Sequence, residues 1–233
     1  MASITSLFHA YCKEQLKPLG FVKQGMVWGR IIGDVYQGIS IRQSSIKTPI
    51  IAFGILPLCA GIDFYDSIEQ YDLDNLYPLE NFQSVLDCDP RFADNEAIME
   101  KLKNRIEESV LPMFEKCIDC TSSFDPLMKL KYLTEHRRIQ VLKHLRIKDG
   151  AIPLEERIMH DEHLFYIALK TGNYDYVMRC LKCWEKKGKK LRIDWLDALP
   201  NWIKQNDTAS IRSVLQIRET KSLATLNRFL KKC

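Results

Sequence analysis

The stretch VWGRIIGDVYQGISIR, residues 27–42, decides the first part of the fold. Its side chains alternate with a period of two, and Val35, Ile39 and Ile41 share one face of a strand. Gly33–Asp34 interrupts the alternation with two residues that favour tight turns. The stretch therefore predicts two antiparallel strands joined by a short turn.

The flanking segments extend this pattern into an α+β fold. Residues 49–58, PIIAFGILPL, are apolar on both faces and predict a third, more buried strand. The connections between strands are too short for helical crossovers, so neighbouring strands should be antiparallel. Residues 3–18 have amphipathic helical spacing, with Ser3 as the N-cap and Pro18 at the end. We therefore expect an N-terminal helix packed on an antiparallel β-sheet.

The chain becomes helical from about Asp94 to its end, and no strand-like alternation follows. The first helical segment carries an apolar stripe with a step of four residues, made by Ile98, Leu102, Ile106, Val110 and Phe114. Further helices are predicted near residues 124–147, 153–171, 174–187, 194–206 and 208–231. The fold class is thus α+β, with an all-helical C-terminal half of stacked helical hairpins.

The domain organisation follows from this change of pattern. We expect an α+β domain over residues 1–120 that includes a long acidic loop at 60–92, and a helical region over 121–233 packed with it. Residues 169–182 align with residues 203–216 at an offset of 34 residues. That period is known for tetratricopeptide arrays, but their characteristic Trp, Leu-Gly and Pro positions are missing, so stacked hairpins are the safer prediction.

The charge distribution is uneven although the net charge is only +4. Residues 61–100 contain eleven acidic residues and one basic residue, whereas both flanks are basic. Such a segment either folds against the basic part of its own chain or forms a surface that selects a basic partner. Carboxylates mixed with tyrosines suit a protein contact, and the candidate partner-binding residues are Asp63, Tyr65, Asp66, Glu69, Tyr71, Asp72 and Asp74.

Two CxxC motifs raise the alternative of a metal site. Their cysteines are Cys117, Cys120, Cys180 and Cys183. A double-knuckle zinc site usually separates its pairs by about 15–20 residues, and the separation here is far larger. The second motif also lies within an amphipathic helical run, where cysteine serves as a small buried side chain. We expect packing thiols and no cofactor, with a four-cysteine metal site as the alternative.

A Lys-rich segment beside an aromatic residue raises a second alternative, nucleic-acid binding. It comprises Lys186, Lys187, Lys189, Lys190 and Arg192 near Trp184. Basic residues could contact phosphates while the indole stacks on a base. The low total charge and the absence of a readable nucleic-acid motif favour an exposed loop between helices.

The N-terminal quarter resembles a bacterial family of domains of unknown function, family 4304. The resemblance rests on residues 16–25, LKPLGFVKQG, on Trp28, on residues 35–44, VYQGISIRQS, and on residues 50–55, IIAFGI. It departs from the family in the third strand, which reads AFGI. The family tends to have an Asn directly before the Gly of this strand. The family has no established reaction, so the resemblance implies no catalytic residue. Some related small bacterial proteins resemble immunity partners of secreted toxins.

Taken together, these patterns predict a non-enzymatic protein-interaction module. The resemblance implies a bacterial immunity protein that binds and blocks a basic toxin. The N-terminus lacks the features of a signal peptide, and no apolar run approaches the roughly 20 residues of a membrane helix. We therefore expect a cytoplasmic protein with reduced cysteines and no membrane partner. No convergent catalytic set is visible in the sequence.

Overall fold

A five-stranded sheet with the order β1-β2-β3-β4-β5 organises the N-terminal part of the chain. The computed structural model describes residues 2–43, 49–61, 71–72, 94–144, 153–159, 161–188 and 193–230. The strands are β1 (Val22–Gln24), β2 (Val27–Ile32), β3 (Val35–Gln43), β4 (Pro49–Pro57) and β5 (Tyr71–Asp72). The pairs β1–β2, β2–β3 and β4–β5 run antiparallel, which confirms the predicted α+β class.

The predicted hairpin is confirmed residue by residue. Ile32 pairs with Val35, which leaves a two-residue turn in which Gly33 has a φ of 54°. This left-handed conformation is the one that glycine adopts without steric cost. The sheet contains one strand, β1, that the sequence did not predict. It was not recognised because three residues are too few to show an alternation of apolar and polar side chains.

The predicted acidic loop at 60–92 contributes a strand to the sheet. Tyr71 and Asp72, the residues of β5, pair with Phe53 and Ala52 of β4. The expectation of an irregular loop is therefore wrong at these two positions, where backbone hydrogen bonding to β4 imposes an extended conformation. The rest of the loop lies outside the described residues, apart from its first two positions. β4 itself is buried at Ala52, Phe53 and Ile55, as its apolar sequence predicted.

Two glycines in the middle of the sheet make room for an aromatic ring. Gly29 of β2 pairs directly with Gly38 of β3. A Cβ added at Gly29 would come within 2.8 Å of two ring carbons of Tyr36, and one at Gly38 would come within 2.7 Å of the Tyr36 hydroxyl oxygen. The Tyr36 side chain is fully buried. Glycine is therefore required at both positions by the ring that covers them.

The helices of the N-terminal part are α1 (Ile4–Gln15), α2 (Asn95–Arg105), a π-helical turn (Ile106–Val110) and α3 (Leu111–Lys116). Ser3 caps α1 by accepting a hydrogen bond from the Ser6 amide, as predicted. α1 packs against α2. It buries Phe8 and Cys12 completely, and burial raises the pKa of the Cys12 thiol.

The predicted apolar stripe is confirmed, and a π turn keeps it on one side. All five residues of the stripe, Ile98, Leu102, Ile106, Val110 and Phe114, are buried. In an α-helix, each step of four residues turns about 40° beyond a full rotation, so a long row of such steps would wind around the helix. The turn at Ile106–Val110 has wider i→i+5 hydrogen bonding, which reduces this drift.

Gln37 connects the sheet to the C-terminal end of α3. Its Nε2 donates to the carbonyl oxygens of Phe114 and Cys117 at 2.6 and 2.9 Å, and its Oε1 accepts from Arg30 Nε at 2.9 Å. The last carbonyls of a helix have no partner within the helix. The buried amide of Gln37 therefore caps α3 from a strand.

A histidine on α1 makes the stability of this unit sensitive to pH. Trp28 Nε1 donates to His9 Nδ1 at 3.1 Å, which requires a neutral imidazole. Burial and the charge of Lys23 lower the pKa of His9 in the folded protein. The unfolded chain therefore binds this proton first, and stability should fall as the pH drops through about 6.5.

We expect a loss of at most about 1 kcal/mol in the free energy of unfolding between pH 7.5 and 5, the size of one hydrogen bond, because solvent screens part of the charge on the partly exposed imidazole. Urea titrations at several pH values measure it, with His9→Gln as the control, because a Gln side chain does not titrate. An equal pH slope in the wild type and in His9→Gln would contradict the assignment.

The second half of the chain is helical, as predicted. Its helices are α4 (Cys120–His144), α5 (Leu154–Met159), α6 (Glu162–Thr171), α7 (Tyr174–Lys186), α8 (Leu199–Lys204) and α9 (Thr208–Leu230). α4 packs on α5 and α6, and α7 packs on α5 and α6. In the part of the chain that the structure describes, every helix is too short or too polar to cross a membrane.

The chain divides into two compact units. One comprises Met1–Leu56, Asp63–Ile118 and Leu226–Cys233, and the other comprises Pro57–Ile62 and Asp119–Thr225. The sheet and α1 to α3 belong mainly to the first, the sheet unit, and the later helices to the second, the helical unit. The short segment Pro57–Ile62 therefore belongs with helices that are distant in sequence.

Arg218 of α9 holds this short segment within the helical unit. Its guanidinium donates to the carbonyl oxygens of Cys59 and Ala60 at 3.2 and 2.5 Å. The same group lies over the Tyr166 ring, 3.7 Å from its centroid, in a cation–π contact. Gly61, with a φ of 83°, lies against this side chain, and any Cβ there would contact the guanidinium.

The two aligned segments of the sequence have the same backbone geometry at their turns. Gly172 and, 34 positions later, Asn206 both have positive φ, at 77° and 54°. Asn173 and Asp207 follow them, and each accepts a hydrogen bond from the amide three residues ahead. Each also donates its own amide to the carbonyl five residues back, at 2.8 Å. The α6–α7 and α8–α9 turns are therefore equivalent.

Candidate functional site: a groove in the helical unit

Three helices of the helical unit enclose a groove of about 740 Å³. We call it the α4–α7 groove. It is lined from α4 by Phe124, Met128 and Tyr132, from α5 by Glu155, Ile158 and Met159, and from α7 and its N-cap by Asn173, Asp175, Tyr176 and Arg179. Its floor is apolar, and its charged residues lie on the rim.

The floor of the α4–α7 groove is rigid. The rings of Phe124 and Tyr176 meet edge to face, with centroids 5.6 Å apart. The buried Tyr176 hydroxyl donates to the Ile158 carbonyl oxygen at 3.3 Å, and burial raises the pKa of this phenol. The hydroxyl is therefore already committed to the fold, and the ring offers an apolar surface.

Both walls of the groove are fixed by hydrogen bonds from α7 to the end of α5. Besides the Tyr176 bond, Trp184 Nε1 donates to the Met159 carbonyl oxygen at 2.9 Å. These two carbonyls lie in the last turn of α5, where no partner within the helix exists. A short helix of six residues is thereby held in place by α7.

A charged cluster fixes α4 against α5 and α6. Lys131 lies 3.1 Å from Asp161 and 3.6 Å from Glu135, and Arg157 lies 3.8 Å from Glu135. Asp161 also caps α6 by accepting from the Leu164 amide at 3.1 Å. Because these carboxylates are mostly buried and paired with cations, the cluster sets the spacing of the helices that form the groove.

Adaptable side chains occupy the α4 side and the open part of the groove. Met128 and Met159 are half-buried, and Tyr132 is 46% exposed. The Tyr132 ring stacks on His136 with centroids 6.3 Å apart. Methionine fits irregular apolar surfaces, and tyrosine offers large contact area at low entropic cost. This combination is typical of protein-binding surfaces.

The rim carries charges that the fold does not use. Glu155 and Asp175 are exposed, on α5 and α7 respectively. Neither makes an ion pair or a hydrogen bond with any described residue. Arg179 is exposed as well, and its guanidinium lies 5.8 Å from the Tyr176 ring centroid. Within the described part of the chain, two unpaired carboxylates and one arginine therefore surround an apolar floor.

The residues that the sequence proposed for partner binding are mostly outside the described part of the chain. This applies to Asp63, Tyr65, Asp66, Glu69 and Asp74. Tyr71 and Asp72 are described through their backbone, which pairs with β4. The acidic surface stays a prediction.

The four cysteines of the CxxC motifs all lie in the described part of the chain. Among the described residues, no group of three or more His, Cys, Asp or Glu side chains is placed to hold a metal ion. Cys117 belongs to the sheet unit, whereas Cys120, Cys180 and Cys183 belong to the helical unit. Burial raises the pKa of the Cys180 thiol to about 12, so it stays protonated and unreactive near neutral pH.

One cysteine contact was not visible in the sequence. The sulfur atoms of Cys59 and Cys120 lie 3.2 Å apart, and both side chains are buried in the helical unit. Cys59 lies on the segment that Arg218 holds, and Cys120 is the first residue of α4. Sequence motifs relate residues that are close together in the chain, so they could not predict a contact between these two cysteines.

The proposed stacking of a nucleic-acid base on Trp184 is wrong. Trp184 is 2% exposed, its ring packs 4.8 Å from that of Phe165, and its Nε1 is hydrogen-bonded. Trp184 lies on the apolar face of the amphipathic helix α7, and this face packs against the core. Lys187 pairs with Glu156 at 2.8 Å, and Lys189, Lys190 and Arg192 lie outside the described residues.

The single helix that the sequence predicted over residues 153–171 is wrong, because Asp161 interrupts it. Asp161 caps α6 from outside, and α6 begins at Glu162. Capping by this carboxylate separates α5 from α6 where the sequence predicted one helix over 153–171. His160 lies outside the described residues.

The comparisons with known proteins give no match. No family model, no curated protein and no solved structure matches this chain. The resemblance of the N-terminal quarter to family 4304 therefore stays a prediction, and function has to be inferred from the geometry of the groove.

Proposed function

We propose that the protein is a non-enzymatic protein-interaction module that binds a partner through the α4–α7 groove. The observation that carries this proposal is an apolar lining, with Phe124 and Met128 on the α4 wall and Tyr176 on the floor, that the described residues leave open. Exposed apolar surfaces with a polar rim mark interaction sites. Tyrosine, arginine and methionine are the residue types enriched at such sites.

The preferred partner is a basic protein. The rim of the groove offers the carboxylates of Glu155 and Asp175, which no described residue pairs with, and residues 61–100 carry ten more acidic than basic residues. Carboxylates of this kind accelerate association with a basic surface and exclude acidic ones. We propose the acidic segment, with Asp63, Tyr65 and Asp66 among its contacts, as a second region that a basic partner touches.

We further propose the specific role of an immunity protein that occludes a toxin. The resemblance of residues 16–58 to family 4304 supports this role, because small bacterial proteins of that kind resemble toxin partners. An inhibitor of this sort needs contact area and charge complementarity and no catalytic group. The role predicts a toxin gene next to the gene for this chain.

Removing two exposed side chains of the groove should weaken partner binding about thirtyfold. The variant is Tyr132→Ala with Arg179→Ala, which deletes the residue types that most often dominate interface energy. The partner is first captured on the full-length chain and identified, then purified separately and titrated by calorimetry. If it is a toxin, growth of cells that co-express it should be restored by the wild type and not by the variant.

The matched control is Leu133→Ala with Arg212→Ala. Leu133 neighbours Tyr132 on α4 and is 38% exposed, and Arg212 is an exposed arginine outside the groove. The control should bind the partner as the wild type does, and both variants should keep the wild-type melting temperature. Equal binding by the wild type and the groove variant would refute the proposal.

A further inference from the structure

We infer that the α4–α7 groove receives an amphipathic helix of the partner, with Lys or Arg residues flanking its apolar anchors. This inference rests on the proposed function and specifies the element that binds. It follows from three properties of the groove: the direction of its apolar wall, the type of backbone around it, and the charges on its rim.

The apolar wall runs along a helix. Phe124, Met128 and Tyr132 are four residues apart on α4, so they form a ridge about 12 Å long, or about two helical turns. Ridges of i, i+4 residues are the surfaces into which the side chains of a second helix pack. Anchors at i, i+4 and i+7 of a bound helix would fill the space between this ridge and the floor at Tyr176.

The backbone around the groove excludes a bound strand. Strand addition requires a free sheet edge that offers unpaired amide and carbonyl groups. The lining residues belong to α4, α5 and α7, except Asn173, which caps α7. No strand of the described sheet lines the groove, and the Ile158 and Met159 carbonyl oxygens at the end of α5 already accept hydrogen bonds from α7.

The polar groups of the groove do not suit a small polar ligand. Such ligands are oriented by a few polar groups that converge on one point of a pocket. The hydroxyl on the floor, that of Tyr176, already donates to the Ile158 carbonyl. The remaining charges lie at the rim, where they can contact the flanks of a bound element that itself fills the floor.

The rim selects a basic helix. Glu155 on α5 and Asp175 on α7 are both exposed, and neither has a partner among the described residues. An arriving Lys or Arg would pair with a carboxylate that no described cation occupies. Arg179 is the one cation among the described residues that line the groove. It is attracted to the face of Tyr176, and its charge disfavours basic residues of the occupant near α7.

The experiment selects peptides of about 16 residues, long enough for helix formation, from a displayed library with a helical framework. The immobilised target is the full-length wild-type chain, with counter-selection on Tyr132→Ala/Arg179→Ala. We expect enriched sequences to carry apolar residues at i, i+4 and i+7 and at least two flanking Lys or Arg residues. Their circular dichroism should show helix on binding.

Charge reversal supplies the sharper measurement. The variant Glu155→Lys/Asp175→Lys should bind the enriched peptides at least about tenfold more weakly at about 50 mM salt, and the difference should shrink at about 500 mM salt. Peptides with their flanking Lys replaced by Glu should regain affinity for this variant. The control variant Glu185→Lys/Asp197→Lys reverses two exposed acidic residues outside the groove and should bind as the wild type does.

Three results would overturn the inference. The first is that the enriched peptides carry no basic residues. The second is that their affinity is the same for the wild type and for the charge-reversal variant. The third is that a peptide of residues 208–230 competes with them and that the chain self-associates. The last would make a second copy the occupant, through the exposed Ile217 and Leu223 of α9. The proposed function would fail separately, if the whole partner bound Tyr132→Ala/Arg179→Ala unchanged.

Discussion

Replacing Gly29 with alanine should lower the free energy of unfolding by about 3 kcal/mol, the upper range for a group forced into a packed core. The added Cβ would lie within 2.8 Å of two ring carbons of Tyr36. Since Tyr36 is fully buried, its ring has no free space to move into. The sheet would have to open between β2 and β3, or the ring would have to leave its rotamer. Chemical denaturation with intrinsic fluorescence measures the change.

A double-mutant cycle separates this contact from a general intolerance of the strand. In a Tyr36→Leu background, Gly29→Ala should cost less than about 1 kcal/mol, because the shorter side chain frees the space above the glycine. The Gly38→Ala variant should behave in the same way, since its Cβ would meet the same ring. An equal cost of Gly29→Ala in both backgrounds would show that Tyr36 is not the cause.

The parts of the fold that the sequence predicted depend on short-range patterns. The hairpin around Gly33 and the buried stripe from Ile98 to Phe114 are set by local periodicity and by residues with defined turn preferences. The pairing of Gly29 with Gly38 also follows once the turn is known. What the sequence could not show is that Tyr36, two residues from Gly38 on the same strand, lies over both glycines.

The α4–α7 groove was missed because its parts are far apart in the chain. Phe124 and Arg179 come together only through the packing of three helices, and no spacing rule joins them. A signal existed within α4. This helix buries Leu127 and Leu130, yet it carries a second row of large apolar residues, Phe124, Met128 and Tyr132. One apolar stripe is enough to pack a surface helix on its own domain. The second apolar row on α4 therefore indicates a surface that another helix or strand can cover.

The charge distribution along the sequence indicates the acidic stretch as the binding surface and gives no sign of the groove in the helical unit. Eleven acidic residues in forty are conspicuous in a sequence, whereas the rim of the groove uses only Glu155 and Asp175 among many ordinary surface charges. What distinguishes these two is that no described cation pairs with them, in contrast to Glu135 and Asp161, which pair with Lys131. That distinction depends on tertiary contacts and is invisible in a linear charge count.

Replacing Gln37 with leucine should also lower the free energy of unfolding by about 3 kcal/mol, because it removes a buried group with three hydrogen bonds. Leucine has a similar size, so little of the loss would come from a cavity. The buried Phe114 and Cys117 carbonyl oxygens and the half-buried Arg30 Nε would each lose a hydrogen bond with Gln37, and a hydrogen bond lost at a buried group costs about 1–3 kcal/mol. The α3 helix would lose its cap from the sheet. Gln216→Leu, at an exposed position of α9, is the control and should change stability by less than about 0.5 kcal/mol.

The pH dependence of Gln37→Glu tests the direction of these hydrogen bonds. Two carbonyl oxygens face the side-chain nitrogen of Gln37, so an ionised carboxylate there would be repelled by them and would lack solvent. Arg30 would attract the other carboxylate oxygen, but it is a single cation at a fully buried position and offsets only part of this cost. The folded-state pKa of the introduced carboxyl would therefore be raised, and the variant should gain stability as the pH falls from 7 to 5, where the wild type loses stability through His9. Opposite slopes in the two proteins would establish that Gln37 acts as a donor to the end of α3. Parallel slopes would mean that the side chain accepts at this position, and the helix would then be capped by another group.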